Sequence, residues 1–232
     1  MLTRRSFAAG LTAGGIAACT DGRNAAALVD DGRADALSVM SFAPPLALES
    51  LPAGWRHRTF WTRAPMRMNL GKKDGVDSLR CETASSASML LRDVDVALAA
   101  RPRLSWRWFV ELPIDSPLDE RTREGDDHPA RLFLSFATAG GERRAMEIIW
   151  GNKFLKQGDW KYLGTFPHYV ANGGAANVGR WHNEEVDLAR LTREIWPEGT
   201  PTRLVELGVF CDSDETRTRS IAYFAELALL RA

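Results

Sequence analysis

RLSWRWFVEL, residues 103–112, alternates without a break. Leu104, Trp106, Trp108, Val110 and Leu112 fall on one face, and Ser105, Arg107, Phe109 and Glu111 on the other. A period of two is the geometry of a half-buried β-strand. Two tryptophans on the apolar face read as core, which leaves the Arg107–Phe109–Glu111 face for a partly polar surface.

The same rhythm recurs outward in both directions. HRTFWT, MRMNL, VDSLRCET and SSASMLLRDVDV precede the stretch, and PARLFLSFAT, RRAMEIIWGN, GTFPHYVAN, GRWHNEEVDL, RLVELGVFCD and SIAYFAELALLR follow it. Turn signals such as KKDG and TAGGE lie between them. Many short strands so spaced predict an all-β fold, an antiparallel β-sandwich of the jelly-roll kind or a barrel. One short helix is expected at DLARLTREIW, with Asp187 as N-cap, Leu188, Leu191 and Ile195 at helical spacing, and Pro197 as the stop.

The chain of 232 residues is 45% hydrophobic, enough for one sizeable core. Its 30 basic and 30 acidic residues balance, which argues against a nucleic-acid surface. Eight tryptophans suit a protein that holds sugar rings against aromatic faces.

The amino-terminal segment reads as an address. Residues 1–18 form a signal peptide in which TRRSF is similar to a twin-arginine motif, and IAAC is similar to a lipobox ending at Cys19. A secretory signal that merely contains a cysteine is the alternative. Residues 19–40 read as a tether and 41–232 as the jelly-roll domain. The expected location is the periplasm, lipid-anchored, with Thr20 after the cysteine compatible with the outer membrane. Export leaves Cys81 and Cys211, each in its strand's inward phase, as either a disulfide or two buried thiols.

LSWRWFVE, GDDHPARLFLSF, AMEIIWGN, HYVANGG, RWHNEEVDL, VFCDSDET and SIAYFAELAL, taken in that order, resemble the bacterial family catalogued as domain of unknown function 3047. The resemblance runs from about Leu51 to Leu230. It implies a sandwich similar to the jelly-roll, galactose-binding-like modules that hold carbohydrates, and it implies no particular activity.

Several groups could carry chemistry. Asp126, Asp127 and His128 precede the strand PARLFLSFAT, and Arg131 shares the face opposite Leu132, Leu134 and Phe136. They suit either a rim that binds hydroxyls or a carboxylate, or a salt bridge that fixes the loop. Asp212 and Asp214 are the pair that would hold a structural calcium; no other cofactor is indicated. His57, His128, His168 and His182 lack zinc spacing. His168 and Tyr169, with Asn172 nearby, are the candidate base and acid of a polysaccharide lyase. Trp181, His182 and Glu184 lie on one strand as candidate ligand-binding residues, while the adjacent Glu184 and Glu185 point to opposite faces and cannot form a glycosidase pair. Two functions stay open: an envelope module that binds a glycan or other envelope component, and a polysaccharide-degrading lyase or hydrolase. The membrane is contacted through the lipid anchor and no nucleic-acid partner is expected.

Overall fold

A computed structural model describes residues 27–232. The signal peptide and the proposed lipidation site at Cys19 lie outside these residues. The strands are β1 (Leu28–Val29), β2 (Ala36–Met40), β3 (Trp55–Thr59), β4 (Arg67–Lys73), β5 (Val76–Ala84), β6 (Ala87–Ala97) and β7 (Arg103–Leu112). They continue as β8 (Arg131–Ala137), β9 (Arg143–Gly151), β10 (Trp160–Leu163), β11 (Phe166–Gly173), β12 (Trp181–Asp187), β13 (Arg203–Asp212) and β14 (Arg219–Leu230). The helix α1 (Leu188–Ile195) follows β12, and the Asp187 side chain accepts from the Arg190 N–H at 2.8 Å. The N-cap read from sequence is therefore the one used.

Two sheets face each other in a jelly-roll β-sandwich. The larger runs β1-β6-β13-β8-β9-β11-β10, with β3 also on β6, and the smaller runs β12-β7-β14-β5-β4, with β2 also on β14. Inward side chains of β7 (Trp106, Trp108, Val110), β8 (Leu132, Leu134, Phe136) and β13 (Leu207, Val209) close the core. Trp108 meets Trp106 and Trp150 edge-on, at centroid distances of 5.2 and 5.8 Å. The alternation of residues 103–112 therefore points where its pattern predicts, except that Leu112 runs out of the core and is exposed.

Among the named strands of the described residues the pairing is antiparallel except at two places. β1 runs parallel to β6, and β11 parallel to β9. After β9 the chain passes outside the position of β11, forms β10, and returns through a turn at Gly164 (φ 63°), which inserts β11 between β9 and β10.

The stretch 28–40, read as tether, belongs instead to the sandwich. β2 pairs with the end of β14 and buries Val39 and Met40. Arg101, fully buried, holds the segment by a bidentate pair with Asp30 (2.8 Å each) and by bonds to the Ala34 and Asp35 carbonyls. The hydrogen bond from Arg101 keeps the Asp30 carboxyl below its ordinary range. Because Arg101 lies far along the chain, local pattern gave no sign of the attachment.

Cys81 on β5 and Cys211 on β13 come together from opposite sheets. Both are buried and unbridged in the structure, which corresponds to the second of the two alternatives, a pair of core thiols. Burial first, and then the Cys81 thiol, push Cys211 well above the ordinary thiol range.

Candidate functional site

The GDDHPAR segment is the buried lock of the large sheet. Asp127, His128 and Arg131 are at most 1% exposed, so none is at a binding rim. Arg131 Nε and Nη2 donate to the two Asp212 oxygens at 3.0 and 2.5 Å, and Nη1 donates to Glu147 at 2.8 Å. Its remaining donor capacity goes to Asp126. The His128 ring is neutral, because burial and then the charges of Lys161 and Arg131 drive its pKa well below the usual value. Its Nδ1 lies 2.7 Å from the Trp150 carbonyl, which can only accept. The proton is therefore on Nδ1, and Nε2 accepts from Lys161 at 2.8 Å. Asp126 takes Lys161 as a second cation; burial would raise its pKa, but the charges of Arg131 and Lys161 outweigh that and hold it well below the carboxylate range. The competing sequence reading, a salt bridge that fixes the loop, is the one the geometry supports.

Asp127, Asp212, Asp214 and Glu215 place ligand oxygens within 4.8 Å of one another. They form the group that could hold a hard cation, and Asp212 and Asp214 were expected in it. Each of the three aspartates already has a partner. Asp127 accepts from the Thr216 N–H (2.6 Å) and hydroxyl (2.5 Å), Asp212 from Arg131, and Asp214 from Arg63. Burial, followed by the neighbouring Asp127 and Asp214, pushes the Glu215 carboxyl up to about 8, so it carries a proton at neutral pH.

The fold separates the two residues of the candidate lyase pair. His168 is 1% exposed, and burial, followed by the Arg131 charge, lowers its pKa to about 3. Its Nε2 lies 3.4 Å from Glu147. Tyr169 points to the opposite face and packs on Trp160 at 5.1 Å. Asn172 and Glu184 do meet, at 2.7 Å, and Glu184 also accepts from Trp108 Nε1 at 3.1 Å. His182 shares that inward face, but its Nε2 donates to the Asn177 carbonyl at 2.8 Å. Trp181 lies on the outer face in a row with Phe109 and Tyr223, its ring beside Arg107 and its Nε1 donating to the Lys73 carbonyl. The ligand-binding candidates on β12 are thus split between two faces.

A cleft of about 580 Å³ opens at the far end of the large sheet. The start of β9 (Arg143, Arg144), the β10–β11 hairpin (Tyr162, Phe166) and the end of α1 (Trp196) line it. Its volume is in the range of about 300–1,000 Å³ usual for ligand pockets. Tyr162 is 52% exposed and lies nearly parallel to Trp160, with an interplanar angle of 25°. Trp160 is tied to α1 by Nε1 donating to Glu194 at 3.1 Å, and Trp196 is held edge-on by the core residue Phe136 at 6.1 Å. Sequence reasoning missed this site because its aromatics come from three elements. The one available signal was the short WKYL segment ahead of the glycine turn.

Among curated proteins, no sequence matches this chain. Solved structures with a similar arrangement include the family 30 carbohydrate-binding module of the cellulosomal cellulase Cel9D-Cel44B of Clostridium thermocellum (TM-score 0.46, 6% identity, covering 84% of this chain and 97% of that one). The xyloglucanase domain of NopAA, a type three effector from Sinorhizobium fredii, gives a TM-score of 0.41 at 9% identity, covering 77% and 93%. The enzymatically active domain of bacteriophage CBA120 tailspike protein 4 gives 0.43 at 9% identity. That match covers 78% of this chain but 20% of the phage chain. At such low similarity no ligand carries across. The family model for proteins of unknown function (DUF3047) matches residues 53–228, well over half of the sequence, and the chain belongs to that family.

Proposed function

We propose that the protein is a non-catalytic glycan-binding module, held at the periplasmic side of the outer membrane by a lipidated Cys19. The observation that carries the glycan reading is the cleft lined by Tyr162, Phe166 and Trp196. A half-exposed ring braced from behind by a second ring offers a flat apolar face to the C–H side of a pyranose, while the polar turn beside it can meet hydroxyls. The degradative reading has less support, since His168 is sealed and Tyr169 is packed on Trp160.

Calorimetric titration of the mature protein with neutral and acidic oligosaccharides, with intact-mass analysis of the ligand afterwards, tests the reading. Tyr162→Ala should remove binding while leaving Tm unchanged. A shortened or unsaturated ligand would show instead that the protein is an enzyme. For the anchor, mass analysis of membrane-extracted protein should find an acylated Cys19, and Cys19→Ser should release the chain from the membrane fraction. A mature form starting elsewhere would sink the anchor proposal.

A further inference from the structure

We propose that the cleft selects a carboxylate-bearing saccharide, an assignment that rests on the glycan-binding reading and narrows it. The lining contributes two guanidinium groups, Arg143 and Arg144, and no carboxylate. The chain as a whole balances 30 basic against 30 acidic residues, so this local excess is not a by-product of composition. Arg144 supplies the more specific observation. Its Nη2 donates at 3.0 Å to Glu142, whose side chain is 59% exposed. Its Nε is buried with no hydrogen-bond partner. Leaving a buried donor unsatisfied is unfavourable, so a small shift of the Arg144 side chain that brings Nε to an acceptor in the cleft is favoured. The backbone at Gly199 backs the same guanidinium; a Cβ added there would sit 3.5 Å from Nη2.

The chemistry follows from the two kinds of surface. A planar guanidinium fork matches a carboxylate in a bidentate pair, which a neutral hydroxyl cannot reproduce. The rings of Tyr162 and Trp196 take the apolar face of the sugar that carries it. Such a ligand uses both halves of the cleft at once, whereas a neutral saccharide uses only the aromatic half. A sulfated saccharide offers related anionic oxygens, and the experiment separates the two.

The test titrates the mature protein with hexagalacturonate, cellohexaose and a sulfated cello-oligosaccharide of equal length. Hexagalacturonate should bind at least tenfold more tightly than either of the others, and its advantage over cellohexaose should shrink as salt rises. Arg144→Gln should abolish that advantage while leaving the cellohexaose affinity unchanged. Arg144→Lys, which keeps the charge and loses the fork, should recover only part of it. Equal affinity for hexagalacturonate and cellohexaose would overturn the carboxylate assignment and leave the glycan reading standing. Tighter binding of the sulfated ligand would likewise overturn it. Failure of all three ligands to bind would remove the glycan reading itself, and the assignment with it.

Discussion

At the scale of single residues, burial decides what the charged side chains do. Arg131 is surrounded by Asp126, Glu147 and Asp212, and deleting its charge would leave Glu147 and Asp212 out of water without their cation, Asp126 keeping Lys161. Arg131→Met is expected to cost about 3–5 kcal/mol in denaturant unfolding. In whatever fraction stays folded, it should leave glycan affinity at the cleft intact; unchanged stability would show that the lock is dispensable. His168 gives a pH signature. Its folded pKa of about 3 lies below the usual histidine value. The unfolded chain therefore binds a proton that the folded one refuses, and stability falls as pH drops from about 6.5 toward 3. By pH 4 the contribution is on the order of 3 kcal/mol. His168→Asn should remove one proton's worth of that slope in a Tm-against-pH series, leaving the part that the other groups with lowered pKa values, His128, His57 and Asp126 among them, contribute. An unaltered slope would mean that His168 titrates normally.

At the scale of elements, loops are held by long-range polar anchors more than by their own turn chemistry. Glu120 is 1% exposed and accepts four successive backbone N–H groups, Asn152 to Leu155, at 2.5–2.9 Å, pinning the β9–β10 connection to the long loop before β8. Between the sheets, β5 and β13 bring Cys81 and Cys211 together as core packing. In a Cys19→Ser protein, thiol titration should find almost no reactive thiol in the native state and two per chain after unfolding without reductant. Finding none after unfolding would establish a bridge. The helix α1 was legible to within a residue because its signals are local: the Asp187 cap, the apolar spacing and Pro197 all lie in one short window.

At the scale of the molecule, the chain's charge balance hides a strongly uneven distribution. Carboxylates gather at the Asp127–Asp212–Asp214–Glu215 corner and guanidinium groups at the cleft. At the acidic corner, Arg131, Arg63 and the proton on Glu215 already offset most of the negative charge, and Thr216 hydrogen-bonds Asp127. Removing divalent ions with EDTA at pH 7 is therefore expected to leave Tm unchanged, as is adding millimolar calcium. A saturable rise in Tm with calcium would show that a cation displaces that proton and Arg63, since a ligand that binds only the folded state stabilises it.

What the sequence by itself determined was everything carried by a short period. Alternation marked eleven of the strands and told which face of β7 and β8 is core, because successive side chains on a strand must point to opposite sides. It also excluded a Glu184–Glu185 pair on the same ground. Tertiary structure decided the rest. β1 and β10 are too short to show a period, and β2, no shorter than β3, exists because β14 and Arg101 give it partners. The same aspartates and arginine that look like a loop rim in GDDHPAR became a buried lock, because β13 supplies Asp212 and β10 supplies Lys161. Conversely, Arg143, Arg144, Tyr162 and Trp196 carry no motif and became a cleft only where three elements end together. Burial and convergence depend on which distant segments meet, and no local pattern of residue types encodes that.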